Sequence, residues 1–135
     1  MSNPDNVEIV QQLYRAFGAG DGPGLFSVIA PDIDWKFNGR AVDVPFAGHF
    51  RGHAELRNFF GAVAQTTEVI EFGPQEMYAF GDKVISLGGE KVRARATGKV
   101  FETAWLRFFT IKDGQITRLR EYYDTAAMTE AFRGG

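Results

Sequence analysis

Apolar residues recur at helical spacing near the N-terminus and at alternate positions through the C-terminal half, and the change of period divides the chain. Val7, Val10, Leu13, Tyr14 and Phe17 fall on one face of a helix. Pro4-Asp5 suits its first turn, and Gly18 and Gly20 supply the stop. Asp21-Gly22-Pro23-Gly24 reads as a turn and cap for a short second helix through Leu25, Phe26, Val28 and Ile29, ended by Ala30-Pro31-Asp32. Residues 33–38 form a short strand with Trp35 and Phe37 on one side, Asp34 and Lys36 on the other. Residues 39–52 are the longest irregular stretch. Leu56, Phe59, Phe60 and Val63 then make the apolar face of a third helix. From Glu68 onward the pattern predicts strands over 68–80, 83–96, 99–111 and 115–124, with turns at Gly81-Asp82 and Thr97-Gly98, and a closing helix over 126–132. Pro74 and the Gly88-Gly89 pair predict bends or bulges of the kind a curved sheet requires.

Helices first and a four-strand meander last is an α+β arrangement: three N-terminal helices across the inner face of a strongly curved, mostly antiparallel sheet, with a short C-terminal helix. The space between helices and sheet is the expected cavity. At 135 residues the chain supports one domain spanning 1–135 and one core. Its 13 phenylalanines are many for that length, and large flat side chains suit the lining of a hollow.

Charge and cysteine content narrow the chemistry. A net charge of −2 with interspersed signs argues against a nucleic-acid surface. No apolar run is long enough to span a membrane. Residues 1–6 lack the basic and apolar regions of a leader, so a cytoplasmic location is expected. With no cysteine, thiol nucleophiles and thiolate metal sites are excluded. His49 and His53, the two histidines, are separated by a glycine-bearing loop rather than by one helical turn, and no metal or other cofactor is expected.

The last hairpin concentrates the candidate site. Its strands alternate aromatic residues with Arg107, Arg118, Arg120 and Glu121, around a turn at Lys112-Asp113-Gly114-Gln115 taken as a loop of three to five residues. With residues 111 and 115 opposed, Trp105 faces Glu121, Thr103 faces Tyr123 and Arg107 faces Leu119. With Thr97-Gly98 as a two-residue loop, Glu90 faces Trp105 and Arg93 faces Glu102. Glu90, Arg107 and Glu121 then surround Trp105 on the cavity side, with the two glutamates about two strand spacings apart. A carboxyl beside a tryptophan in an apolar pocket has a raised pKa and suits general acid–base work. Glu121 is therefore the first catalytic candidate, against the plainer reading of a diagonal ion pair with Arg107 near the rim. His49, in the loop over the cavity mouth, and Tyr14, on the first helix, are the other catalytic candidates; the alternatives are a surface histidine and a core tyrosine. Trp35, Phe37, Thr103, Trp105, Arg107, Leu119, Tyr123, Phe17 and Glu90 are candidate substrate contacts. Asp124 reads as the N-cap of the last helix. Arg118 and Arg120 face solvent or a partner subunit.

Tyr14-x-x-Phe17-x-x-Gly20-Asp21, Ala30-Pro31-Asp32-x-x-Trp35, Phe46-x-Gly48-x-x-x-Gly52 and Asp113-Gly114-x-Ile116-x-x-x-x-Glu121-Tyr122-x-Asp124 together resemble the SnoaL-like group of the NTF2-like superfamily. The resemblance, which includes the ketosteroid-isomerase-like proteins and polyketide cyclases, implies a cone-shaped fold, a deep apolar pocket and a homodimer. The ketosteroid isomerase base and two oxyanion donors correspond here to Phe37, Leu13 and Leu106, so that set is missing. The limonene epoxide hydrolase motif matches Leu119 to Asp124, with its aspartate at Glu121, but its Arg-x-Asp pair meets Lys91-Val92-Arg93. The expected function is acid–base chemistry on a small hydrophobic cyclic compound (isomerase, cyclase, dehydratase or hydrolase type) without a cofactor, nucleic acid or membrane. The alternative is a ligand-binding or dimerisation module of the same fold.

Overall fold

In the computed structural model, which describes residues 4–133, the N-terminal apolar stripe forms α1 (Pro4–Ala19), with Val10, Leu13 and Ala16 buried along one side. Residues 1–3, on which the leader expectation partly rests, lie outside the described residues. Gly20, at φ +67°, ends α1 in the left-handed conformation, and its N–H and that of Asp21 return to the carbonyls of Phe17 and Ala16.

The second helix is shorter than its pattern suggests. In α2 (Gly22–Ser27) the Asp21 carboxylate accepts the Gly24 N–H at 3.0 Å, but Val28 and Ile29 leave the helix. Pro31 disfavours helical backbone at the residue before it, and the Val28 carbonyl accepts the Ile116 N–H at 2.8 Å, so β1 (Ile29–Phe37) starts four residues before the expected position. The stretch 39–52, expected to be irregular, contains β2 (Gly48–Arg51) antiparallel to β1; four residues beginning with glycine leave too little alternation to read. Next comes α3 (Gly52–Thr66). Its first turn is held by Glu55, whose carboxylate accepts the Arg51 N–H at 2.8 Å, and by His53, which donates to the Ile29 carbonyl at 2.9 Å.

The meander follows as β3 (Thr67–Phe80), β4 (Lys83–Ala94), β5 (Val100–Lys112) and β6 (Gln115–Tyr123), closed by α4 (Thr125–Phe132). Asp124 caps α4, accepting the Ala127 N–H at 3.1 Å. The six strands run in the order β2-β1-β6-β5-β4-β3, with only β1 and β6 parallel, so the sheet stays open at both edges. Register shifts on β3 after Val69 and after Pro74 bend it. One sheet face carries Trp35, Phe37, Trp105, Phe109 and Leu119 against α1, α3 and α4, and this is the core. The other face, with Ile85, Leu87, Leu106, Phe108 and Tyr122, is covered by no element among the described residues. No helix among the described residues is long and apolar enough to cross a membrane.

Candidate functional site

The register of the last hairpin decides which side chains meet. Asp113 and Gly114 both have positive φ (52° and 76°), making a two-residue loop with Lys112 opposite Gln115, not the longer loop expected. Ile111 then pairs with Ile116, and a bulge at Thr117 sets Thr110 opposite Arg118. Each step shifts the register by one residue. The first alone would turn Glu121 to the outer face, and the second turns it back. The expected inner set is therefore retained with new partners: Arg107 opposes Glu121, and Trp105 opposes Tyr123. The preceding loop spans residues 95–98, so Glu90 opposes Thr103, Gly88 opposes Trp105, and Arg93 pairs with Glu68 rather than with Glu102. Glu90 and Glu121 thus lie on opposite sides of Trp105 instead of flanking it in line.

Beneath the helices is a cavity of about 70 Å³. Its walls include Leu13, Tyr14 and Phe17 of α1, Trp35 and Phe37 of β1, Phe59, Phe60 and Val63 of α3, Phe72 of β3, and Leu119 of β6; the polar members are Thr67, Glu90, Arg107, Glu121 and Tyr123. Glu121 is 2% exposed. Its Oε1 stands 3.5 Å from Arg107 Nε, beyond the length of a charge-assisted hydrogen bond. Burial pushes the Glu121 pKa up to about 7; Arg107 opposes that rise and Glu90 adds to it. The plainer reading of the pair is thereby corrected: it is directly opposed and buried, not diagonal at a rim.

Arg107 stays a cation. Burial works against its charge, but Tyr123 and Glu121 outweigh that and raise its pKa. Its guanidinium donates to the Tyr123 hydroxyl and lies over the Trp105 ring, 4.2 Å from the centroid. Burial raises the pKa of Tyr123 and, more strongly than Arg107 and a Tyr123 hydrogen bond lower it, that of Glu90. Trp35 Nε1 approaches the Glu121 carboxylate and favours its charged form, yet the approach misses hydrogen-bond geometry and leaves that N–H buried without a partner.

Of the expected site residues, Glu121, Tyr14, Trp35, Phe37, Arg107, Leu119, Tyr123, Phe17 and Glu90 line the cavity. Tyr14 donates to Ser86 Oγ at 2.8 Å. His49 does not reach the cavity: it sits on the outer sheet face beside Asp34, because β2 pairs it with Lys36. Burial disfavours the charge of Asp34, but hydrogen bonds from His49 and Arg120 prevail and lower its pKa. Thr103 is not among the lining residues. Its hydroxyl accepts the Asp124 N–H at 2.9 Å and donates to the Ala104 carbonyl at 2.8 Å. Trp105 stands behind the lining, stacked on Phe72 with ring centroids 5.5 Å apart. Leu106 faces outward beside Tyr122, so the inward positions on β5 are Trp105 and Arg107, of which Arg107 lines the cavity. Phe72 and Ser86 escaped the sequence reading. Phe72 lies just past the register shift after Val69, which puts both residues on the cavity side and breaks the alternation that would have marked it; a lone serine at position 86 gave no signal. No group of three or more metal-binding side chains is placed together among the described residues.

The SnoaL-like domain model matches residues 10–119. An NTF2-like protein of Burkholderia xenovorans has a similar crystal structure, with 35% identity, TM-score 0.89, and coverage of 98% of this chain and 99% of that one. TerC, co-crystallized with polyporic acid, is 26% identical with TM-score 0.85 over 95% of this chain and 98% of its own. A Mesorhizobium loti protein provisionally designated a SnoaL-like polyketide cyclase is 25% identical with TM-score 0.71, covering 87% of this chain and 97% of that one.

Proposed function

The chain belongs to the SnoaL-like domain family, and from that premise we propose that it is an enzyme performing acid–base chemistry on a small hydrophobic cyclic compound, with Glu121 as the proton-transfer group. The observation that carries the reading is the Glu121 carboxyl itself. It is buried at the wall of an aromatic cavity, held loosely by Arg107, and poised at about 7 by desolvation. A carboxyl with that pKa is both a competent acid and a competent base near neutral pH. A plain structural ion pair would hold the carboxylate well below its ordinary value. Arg107 keeps one positive charge beside any negative charge that develops in the cavity, and Tyr123 and Trp105 fix its guanidinium. The aromatic walls orient an apolar ring. TerC, similar over almost the whole chain, was crystallized with polyporic acid, a ligand consistent with this class of compound.

The uncovered apolar sheet face supports a homodimer, the arrangement that would bury Leu87, Leu106 and Phe108. The test is a panel of small cyclic ketones, lactones and epoxides assayed with wild type and Glu121→Gln. The reading expects turnover by wild type, none by the variant, and near-equal stability of the two at about pH 5, where the Glu121 carboxyl is protonated. Undiminished turnover by Glu121→Gln removes the proton-transfer role, and binding without turnover by either protein marks a ligand-binding module.

A further inference from the structure

Nearly every polar group on the cavity wall already has a partner. The Tyr14 hydroxyl donates to Ser86, the Tyr123 hydroxyl accepts from Arg107 and interacts with Glu90, and Arg107 pairs with Glu121. Trp35 is the exception. Its ring is 3% exposed and lines the cavity, while its Nε1–H has no acceptor. A second unpartnered indole N–H, on Trp105, belongs to a ring outside the lining. A buried donor without an acceptor is a standing cost that an incoming acceptor removes.

We propose that the indole N–H of Trp35 is a ligand-binding donor which, together with the adjacent Glu121 carboxyl, receives the carbonyl oxygen of a cyclic ketone in the cavity. A carbonyl oxygen has two lone pairs and no hydrogen, so it can accept from Trp35 and from a protonated Glu121 at once. Phe37, Phe59 and Leu119 supply the apolar part of the seat, and Arg107, 3.5 Å from Glu121, is already engaged by the Tyr123 hydroxyl and the Trp105 ring. A ligand oxygen is thereby drawn to one position, fixing which carbon stands beside Glu121. The inference rests on the proposed cavity as the binding site and not on proton transfer by Glu121.

The test is nuclear magnetic resonance of the protein with nitrogen-15 in its two tryptophans. Trp35→Phe assigns the indole signals. The titrants are cyclohexanone and methylenecyclohexane, which share size and shape and differ in the acceptor atom. The proposal expects cyclohexanone to shift the Trp35 indole N–H downfield and methylenecyclohexane to leave it in place. Trp35→Phe should weaken cyclohexanone binding about tenfold, the size of one hydrogen bond, and leave methylenecyclohexane binding unchanged. Equal responses to both titrants, or equal weakening of both by Trp35→Phe, overturn the proposal. So does an indole signal that follows the ionisation of Glu121 and ignores the ketone, since Trp35 would then belong to Glu121 alone. Glu121→Gln, whose amide can still donate, should retain the cyclohexanone response whether or not it turns over, so failure of the proton-transfer reading and failure of this one are distinguishable.

Discussion

The ring of Trp105 occupies the space that a side chain on Gly88 would take: a Cβ at Gly88 would lie 2.4 Å from Trp105 Cζ2 and 2.6 Å from the Gly73 carbonyl oxygen. The two residues are directly opposed on β4 and β5, and the missing methyl lets the indole lie flat against the sheet under Arg107. Gly88→Ala is expected to destabilise the fold by about 1–3 kcal/mol, the usual range for overpacking a closed site. Urea unfolding checks this, with a lower midpoint at unchanged slope as the expected result.

Stability should depend on Glu121 through pH. Its pKa is about 7 in the fold and near its ordinary 4.5 when unfolded, so between these values the folded state binds the extra proton. The stabilisation is therefore complete below about pH 4.5 and is lost as pH rises through about 7, a swing on the order of 3 kcal/mol. Glu90, also raised, contributes in the same direction, whereas Asp34, lowered, acts only at more acid pH. Glu121→Gln should flatten much of the decline in unfolding free energy from pH 5 to pH 7.5 that wild type shows.

Arg107 restrains the Glu121 pKa. Arg107→Leu removes the one positive charge beside the carboxyl while keeping an apolar side chain against Trp105, so Glu121 should titrate at least about one unit higher. A carbon-13 titration of labelled glutamate carboxyls reads this directly. The same variant should lose turnover at neutral pH, because Glu121 then stays protonated and the cavity holds no fixed cation.

His49 offers a contrast. It lies on the outer face, paired with Asp34 and separated by β1 from Arg120, which binds the same carboxylate. His49→Ala should leave turnover unchanged and shift stability by less than about 1 kcal/mol, as for an exposed pair. A thermal melt and the cyclic-compound assay together check both halves.

The fold was largely legible because long periodic segments carry their own phase. The four meander strands and α1 stand where alternation and helical spacing put them. The short elements were not legible: β2 has four residues, and α2 gave up Val28 and Ile29 to a strand whose pairing with β6 is set far away in sequence. At the site, the inner set including Glu121, Arg107 and Glu90 was readable from alternation, while the partners were not. Asp113-Gly114 forces a two-residue loop, and the Thr117 bulge then restores the face by a second shift that no local pattern announces. Tyr14 was readable as a catalytic candidate or a core tyrosine, but its bond to Ser86 depends on residues 72 positions apart.

The central claim is that the Glu121 carboxyl is a buried group poised for proton transfer, and its own ionisation tests this most directly. Carbon-13 titration of the glutamate carboxyls, with Glu121 assigned through Glu121→Gln, should give an apparent pKa near 7. A value in the ordinary range around 4.5 or below, with Arg107 holding the carboxylate charged throughout, contradicts the account.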